Sequence, residues 1–509
     1  MYPEQEIDVT NKTDNLSVAL LGNRINDGQT LFEYLIELLL IFASSKNKDG
    51  GGRMRFHTSE EIAETKGKYW IEPRIGLRRF VFYPYSKINS RSDVDTDAYE
   101  ELMEILKKDS REGINDVKII QDLLHSYAIV TRNRGWYAQA LIPVAPEFLL
   151  TDAQGIQSRQ RKGRSYYDIS EDDDDYEKNL AKIDTDFDFN KHNFLARGGQ
   201  ILYLHLLQAM EQDSALDYAC RDRLEKLLRK MLDDSGKEIG LLSRFIQGEW
   251  EGSRKYKTPL VEMNMGYLTD GYQACSADFL SEIVNFLSCN IHPVARIELL
   301  AQGMVLSLLR AINIVAARKI NMSAPKPIWI IDMTGDGPSS NIAKLSAKTF
   351  ANSYNSFQVA MTRIYDEKEN KKGEYAEEIK DGRKQSSEIF KRLAKELYLA
   401  VPPRGSSSVR FSLTESLVRY LVLALLKPGE KKMFTSFLDM LYDHFRIVIS
   451  SEHYLKAINE GAFDGEQSMA SYFKKNELKF QDFMKQCGFL RDLSDATAIV
   501  ENPYKEVTD

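Results

Sequence analysis

The chain has 509 residues, more than one hydrophobic core usually serves, so about two to four domains are expected. Apolar residues make up 43% and aromatics 10%, which excludes a wholly disordered chain because enough surface can be buried to offset chain entropy. The 68 basic and 75 acidic residues give a net charge of −7, which excludes wholesale polyanion binding and confines any nucleic-acid contact to a local patch.

The opening MYPEQEIDVTNKTDN is acidic and polar and lacks the basic and apolar regions of a secretory signal. Gln29 to Ala43 predicts an amphipathic helix, Lys46 to Gly52 a flexible break, and Thr58-Ser-Glu-Glu61 a capping box opening a short helix. The aromatic run Tyr69 to Tyr85 is expected to be rich in strand, followed by helices at about Asp97 to Lys108 and Asn115 to Ala128. Trp136 to Leu150 is an apolar segment broken by Pro143 and Pro146, and residues 1–155 are expected to form a mixed α/β domain.

Residues 156–193 form a charged linker. Arg159, Arg161, Lys162 and Arg164 precede Tyr166 to His192, which carries ten Asp/Glu against three Lys. Residues 194–324 predict an all-α middle domain, with helices at Ile201 to Met210, Tyr218 to Leu232, Ser276 to Cys289 and Val294 to Lys319. Gly198-Gly199 is a turn ahead of a buried helix or, alternatively, the start of a phosphate-binding helix N-terminus. Leu31 to Ala43 is too short and too charged to span a membrane. Leu299 to Ala317 is long enough, but Gln302, Arg310 and Asn313 inside it favour a buried helix of a soluble domain, and no membrane partner is expected.

Residues 325–400 predict a strand at Ile328 to Met333, the loop Thr334 to Asn341, a helix from Ile342 to Tyr354, a charged excursion at Asp366 to Arg383 and a helix from Glu388 to Leu399. Val401 to Ser408 (VPPRGSSS) reads as a linker into a last domain, 401–509. There Ser412-Leu-Thr-Glu415 is a capping box, with helices predicted up to Lys427, from Met433 to Phe445 and from Met469 to Cys487. A short strand falls at Ile447 to Ile449, and a hairpin spans Phe489 to Glu501. Helix, helix, strand, helix, hairpin is the order of a winged-helix module, so the fold class is mainly α with α/β elements, multidomain, with a C-terminal winged-helix-like domain. Such a module inserts one helix in the major groove or binds protein.

Catalytic signals are few. Asp332-Met-Thr-Gly-Asp-Gly-Pro-Ser-Ser340 places an acid at a strand end before glycines, as ligand-binding α/β loops do, and is similar to the Asp-x-Thr-Gly element of phosphoryl-transfer enzymes with an aspartate nucleophile. It lacks the Gly-Lys-Ser/Thr of a P-loop, and a Gly/Pro/Ser turn is the plainer reading. Asp366 with Glu378-Ile-Lys380 matches the letters of a metal-dependent nuclease but lies in polar surroundings without the required strands. Cys220, Cys275, Cys289 and Cys487 form no CxxC pair and fit a reducing cytoplasm. His57, His125, His192, His205, His292, His444 and His453 show no metal-ligand spacing. Neither catalytic nor metal-ligating residues are assigned, and no cofactor is expected.

Residues 383–432 hold eleven Lys/Arg against four Glu, an excess that would attract phosphate. The expected DNA-binding residues are Arg404, Arg410, Lys431, Lys432, Lys474, Lys475, Lys479 and Arg491. RFSLTESLVRYLVLALLKPGEKKMFTSFLDMLYDHF, GFLRDLSDATAIVENPY and PIWIIDMTGDGPSS resemble accessory, non-ATPase subunits of bacterial multi-gene DNA restriction and antiphage systems, such as the phosphorothioation-dependent restriction complexes. The resemblance covers the last third of the chain. It implies a cytoplasmic, non-enzymatic DNA-binding or scaffold subunit acting beside ATPase and nuclease subunits, with double-stranded DNA as a further partner. A magnesium-dependent phosphohydrolase or nuclease centred on Asp332 and Asp336, and a protein-binding scaffold without DNA contact, are the alternatives.

Overall fold

The computed structural model describes residues 16–23, 25, 30–72, 74, 77, 80, 93–108, 114–126, 145–149, 153–155, 192–194, 197–211, 217–252, 260–367, 375–405, 408–494 and 497–508. These are mainly helical with small strands, as the sequence predicts. They form two compact units built from non-consecutive stretches, where the sequence reading expects consecutive domains. One unit comprises Phe32–Gln200 and Leu228–Met265. The other comprises the chain up to Leu31, Ile201–Leu227 and Gly266–Asp509.

The first helices are α1 (Leu16–Leu21), α2 (Leu31–Ala43) and α3 (Ser59–Thr65), and β1 (Lys68–Ile71) follows. Three residues past the end of α2 stands Lys46, a fully buried lysine whose ammonium donates to the carbonyls of Ile41, Phe42 and Ser44 at 2.6, 3.0 and 2.7 Å. A cation there satisfies orphan carbonyls and complements the negative end of the helix dipole. α3 carries the expected capping box, Thr58 with Glu61. Next come α4 (Asp93–Lys108), α5 (Ile114–Ser126), β2 (Ala153–Gly155) and β3 (His192–Phe194). Of the run Tyr69 to Tyr85, the part within β1 is the strand found among the described residues. Its partner is β4 (Val261–Asn264), far along the chain, with Lys68 opposite Asn264 and Ile71 opposite Val261. The core of this unit gathers Leu77, Phe80, Leu102, Leu106, Ile246 and Trp250. Residues 156–191, all of the expected charged linker but its last two positions, lie outside the described residues, and His192 and Asn193 fall in β3.

α6 (Arg197–Glu211) and α7 (Asp217–Gly252) follow. Gly198 and Gly199 are the second and third residues of α6 and are buried, so the pair opens the helix and is not a turn ahead of it. A Cβ on Gly199 would meet the Tyr34 carbonyl oxygen at 2.5 Å, so glycine lets the first turn of α6 approach the Tyr34 backbone within the same unit.

The unit containing the C-terminus holds α8 (Ser276–Leu287), α9 (Pro293–Ile320), β5 (Trp329–Ile330), α10 (Asn341–Glu367), α11 (Tyr375–Glu396), β6 (Ala400–Val401) and β7 (Arg410–Phe411). It continues with α12 (Glu415–Leu425), β8 (Lys431–Met433), α13 (Phe434–Phe445), β9 (Ile447–Val448), α14 (Ser451–Asn459), α15 (Phe473–Gln486), β10 (Leu490–Ser494) and β11 (Thr497–Glu501). α9 is long and apolar enough to cross a membrane, and 94% of its most apolar window is buried in the fold. Its Gly303 leaves room for the Tyr420 ring of α12, whose Cε2 would lie 1.9 Å from a Cβ at that position.

Three sequence expectations change here. The part of the expected excursion from Tyr375 to Arg383 is helical, the start of α11, which runs on into the expected helix that buries Ile389, Phe390 and Leu393. Asp366 and Lys380 therefore lie on helices, not on the adjoining strands a metal-dependent nuclease would use. Val401 to Ser408 is not an interdomain linker, since β6 and β7 on either side pair antiparallel, Ala400 opposite Phe411. That pairing also moves the helix cap. The Ser412 amide donates to the Leu399 carbonyl at 2.8 Å, so the chain is still extended at Ser412 and Thr414, not Ser412, caps α12.

β9 pairs parallel with β5, Trp329 opposite Ile447 and Ile330 opposite Val448, and Ile331 bridges in parallel to Phe411. The run Ile328 to Asp332 is thus a central strand segment with neighbours on both sides, which explains its uninterrupted apolar character. Ile328, Ile330 and Ile342 share a core with Tyr442, Val448, Tyr454 and Phe473, so residues 401–509 are not a separate body.

Candidate nucleic-acid interface

The C-terminal stretch builds a three-stranded antiparallel sheet in the order β10, β11, β8. β10 and β11 form the expected hairpin, with Leu490 opposite Val500 and a register shift between Asp492 and Ser494. The third strand is β8, with Lys432 opposite Val500, and sequence reasoning missed it because Lys431-Lys432-Met433 has no apolar alternation. The strand it assigned to this module, β9, belongs to the sheet of β5 instead.

α15 lies against this sheet's hairpin through an inner stripe, with Phe473, Asn476, Phe480 and Met484 buried. The helix is shorter than expected, because Gln467–Tyr472 is a 3-10 turn and Tyr472 is 45% exposed. Asn476 fixes it to the parallel strands. Its amide donates to the Ile331 and Ile449 carbonyls at 2.9 and 3.1 Å, and its side-chain carbonyl accepts the Met333 amide at 2.8 Å. A buried asparagine satisfying three backbone groups was invisible in a stripe read for apolar spacing.

The eight expected DNA-binding residues divide by surroundings. Lys474, Lys475 and Lys479 are exposed on the outer face of α15. Lys431 on β8 and Arg491 on β10 are brought together across β11 by Glu501, at 3.4 and 3.9 Å. Lys432 meets Glu430 at 3.1 Å, and Lys475 meets Asp336 at 2.6 Å. Exposed pairs of this kind are worth about 0–1 kcal/mol each, so phosphate can compete for these cations. Arg404 is exposed in the β6–β7 connection, away from α15 in sequence and on a different sheet. Arg410 differs from the rest. Its Nε donates to Asp332 Oδ2 at 2.8 Å, with side-chain exposures of 17% and 1%, so it neutralises a buried acid within the fold. Residues 401–509 carry 14 Lys/Arg and 15 Asp/Glu, so the excess counted over 383–432 is balanced by later acids.

The Asp332 loop is closed in the same way. Asp332 Oδ1 accepts from the Thr334 amide and hydroxyl at 2.9 and 2.7 Å while Oδ2 holds Arg410. Both oxygens are committed to protein donors, and Gly335 and Gly337 supply the left-handed turns, φ +68° and +84°, that wrap the loop around them. Among the described residues no group of three or more His, Cys, Asp and Glu side chains is arranged to hold a metal ion.

The most concentrated buried charge lies elsewhere in the unit. Glu282 of α8 is fully buried and paired with Arg310 of α9, and it accepts from Ser307 Oγ at 2.6 Å and faces His444 Nε2 at 2.8 Å. Burial would raise the Glu282 carboxyl, but the Arg310 charge, with His444 and Ser307, outweighs it and holds the group at about 2. This explains the arginine inside an apolar helix. His205 is buried beside Cys275, and desolvation lowers the imidazole to about 4 and raises the thiol to about 11. A thiol so held stays protonated near neutrality and is a poor nucleophile. A cavity of about 230 Å³ lies between α9 and α10, lined by Asn313, Thr349, Ser353, Pro327 and Phe463.

The chain matches no protein-family model, no curated protein and no solved structure.

Proposed function

We propose that this chain is a non-catalytic DNA-binding subunit that uses α15 and the β10–β11 hairpin as a winged-helix-like module, within a bacterial restriction or antiphage complex whose ATPase or nuclease subunits dock elsewhere on it. The reading is supported by topology: helix α12, strand β8, helix α13, helix α15 and a hairpin, with β8 pairing to the second hairpin strand. β9 and α14 are an insertion between the second and third helices of that order. The observation that carries it is the outer face of α15, where Lys474 and Lys479 have no carboxylate partner among the described residues. The commitment of both Asp332 oxygens weighs against the phosphohydrolase or nuclease alternative.

The test is a gel shift of the full chain with duplex DNA across a salt series, since the shared core makes fragment 401–509 unsuitable. Binding that weakens with salt, and a shallower salt slope in the Lys474→Ala/Lys479→Ala variant, is expected. No shift at low salt would overturn DNA contact and leave the protein-binding scaffold as the better reading.

A further inference from the structure

Four stretches of one unit wall the cavity of about 230 Å³: α9 at Asn313, residues 324–328, α10 at Thr349, Ser353 and Ser356, and the loop 461–463 that follows α14. The wall spends its donors on itself. The hydroxyls of Thr349, Ser353 and Ser356 donate to the Ser346 carbonyl, Asn313 Oδ1 and the Ser353 carbonyl at 2.8, 3.1 and 2.7 Å. The Asn313 amide donates to the Ser353 carbonyl and Ser356 Oγ at 3.4 and 3.3 Å. The backbone amides of Ala324, Gly461 and Ala462 donate to the carbonyls of Asn321, Ile458 and Ala457. Pro325 and Pro327 have no N–H to offer.

A hydroxyl has one proton but two lone pairs, so what the wall retains is acceptors. Thr349 Oγ1 and Ser356 Oγ each take one donor, from the Ile330 amide and from Asn313, and keep a second lone pair. Ser353 Oγ takes none among the described residues and keeps both. Phe463, Pro327 and Ile328 make the apolar part of the wall, and no Asp, Glu, His, Lys or Arg lines it. An anion meets donors already engaged, apart from the exposed Asn352 at the mouth. A cation would lose its water without gaining a counter-charge, and the Lys348 ammonium already lies 5.1 Å from the centre of the Phe463 ring. A neutral molecule with a flat apolar body and an O–H or N–H donor suits both parts of the wall. A cavity of about 150 Å³ takes benzene, so this one has room for a single substituted ring.

We propose that this cavity binds a small uncharged ring carrying a hydroxyl or amino donor, with Ser353 Oγ as the acceptor that selects it. The site does not depend on the DNA-binding reading above. The test is a ligand-observed NMR titration of the full chain with phenol, its methyl ether anisole, benzoate and benzylammonium. Phenol is expected to bind saturably and about fivefold more tightly than anisole, the factor for one hydrogen bond. Neither ion should bind saturably. Ser353→Ala should bring phenol down to the affinity of anisole. Asn352→Trp, at an exposed position, should close the mouth and abolish phenol binding. Equal affinity for phenol and anisole, tighter binding of either ion, or phenol binding untouched by Asn352→Trp would overturn the proposal. So would the absence of saturable phenol binding by the wild type. Should Ser353→Ala fail to fold, the comparison of phenol with anisole and the Asn352→Trp variant decide it.

Discussion

Replacing Arg310 by Met removes the only arginine or lysine whose ion pair with Glu282 is found among the described residues, while leaving the carboxylate in place. Glu282 is fully buried and Arg310 is 4% exposed, so neither charge has water to fall back on. Ser307 and His444 continue to hydrogen-bond the carboxylate, but they do not replace a full positive charge. Breaking a buried pair from one side typically costs about 3–5 kcal/mol. For a unit of this size that lowers the melting temperature by on the order of 10 °C. Calorimetry of the full chain at pH 7.5 measures it. With Arg310 gone, burial raises the Glu282 carboxyl, so the deficit should shrink as pH falls towards 5. Adding Glu282→Gln removes the stranded charge and should recover much of the loss. A drop under about 2 °C, or a double variant no more stable than the single one, would refute the reasoning.

Gly303→Ala should destabilise the same unit by about 1–3 kcal/mol through the clash with Tyr420, as seen in chemical denaturation. Asn476→Ala leaves the Met333 amide and two strand carbonyls without their partner and should cost about 2–3 kcal/mol. Acid stability should fall in two windows. His205 is lowered to about 4, so the unfolded chain binds its proton first and stability declines as pH falls from about 6.5 towards 4. Glu282 is also depressed, so its contribution is present above about 4.5 and is lost as pH falls towards 2. His205→Leu should make the first window shallower in a pH series of unfolding curves, the slope that remains belonging to His57, which burial lowers to about 3. Lys474→Ala should reduce the slope of log affinity against log salt by about 0.9. Arg410→Ala should instead lower the melting temperature, because it strands buried Asp332.

Periodicity, caps and breakers determined the helical class of the chain, the buried helix around Arg310, the Phe434–Phe445 helix and the terminal hairpin. These depend on neighbours within one or two turns, which sequence spacing reports directly. Pairing between distant stretches was decided by tertiary structure: β1 with β4, β5 with β9, and β8 with β11. A short strand has no register until its partner supplies one, so Lys431–Met433 carried no strand signal and Ile447–Val448 was placed in the wrong sheet. The same holds for charge. Counting lysines and arginines located a basic stretch, but only the fold showed Arg410 spent on Asp332 and Lys475 loosely held by Asp336, because an ion pair forms between side chains 78 and 139 residues apart in sequence. The opposite faces of α15, Asn476 inward and Leu478 outward, follow from helix geometry in sequence, but what each meets was settled by packing.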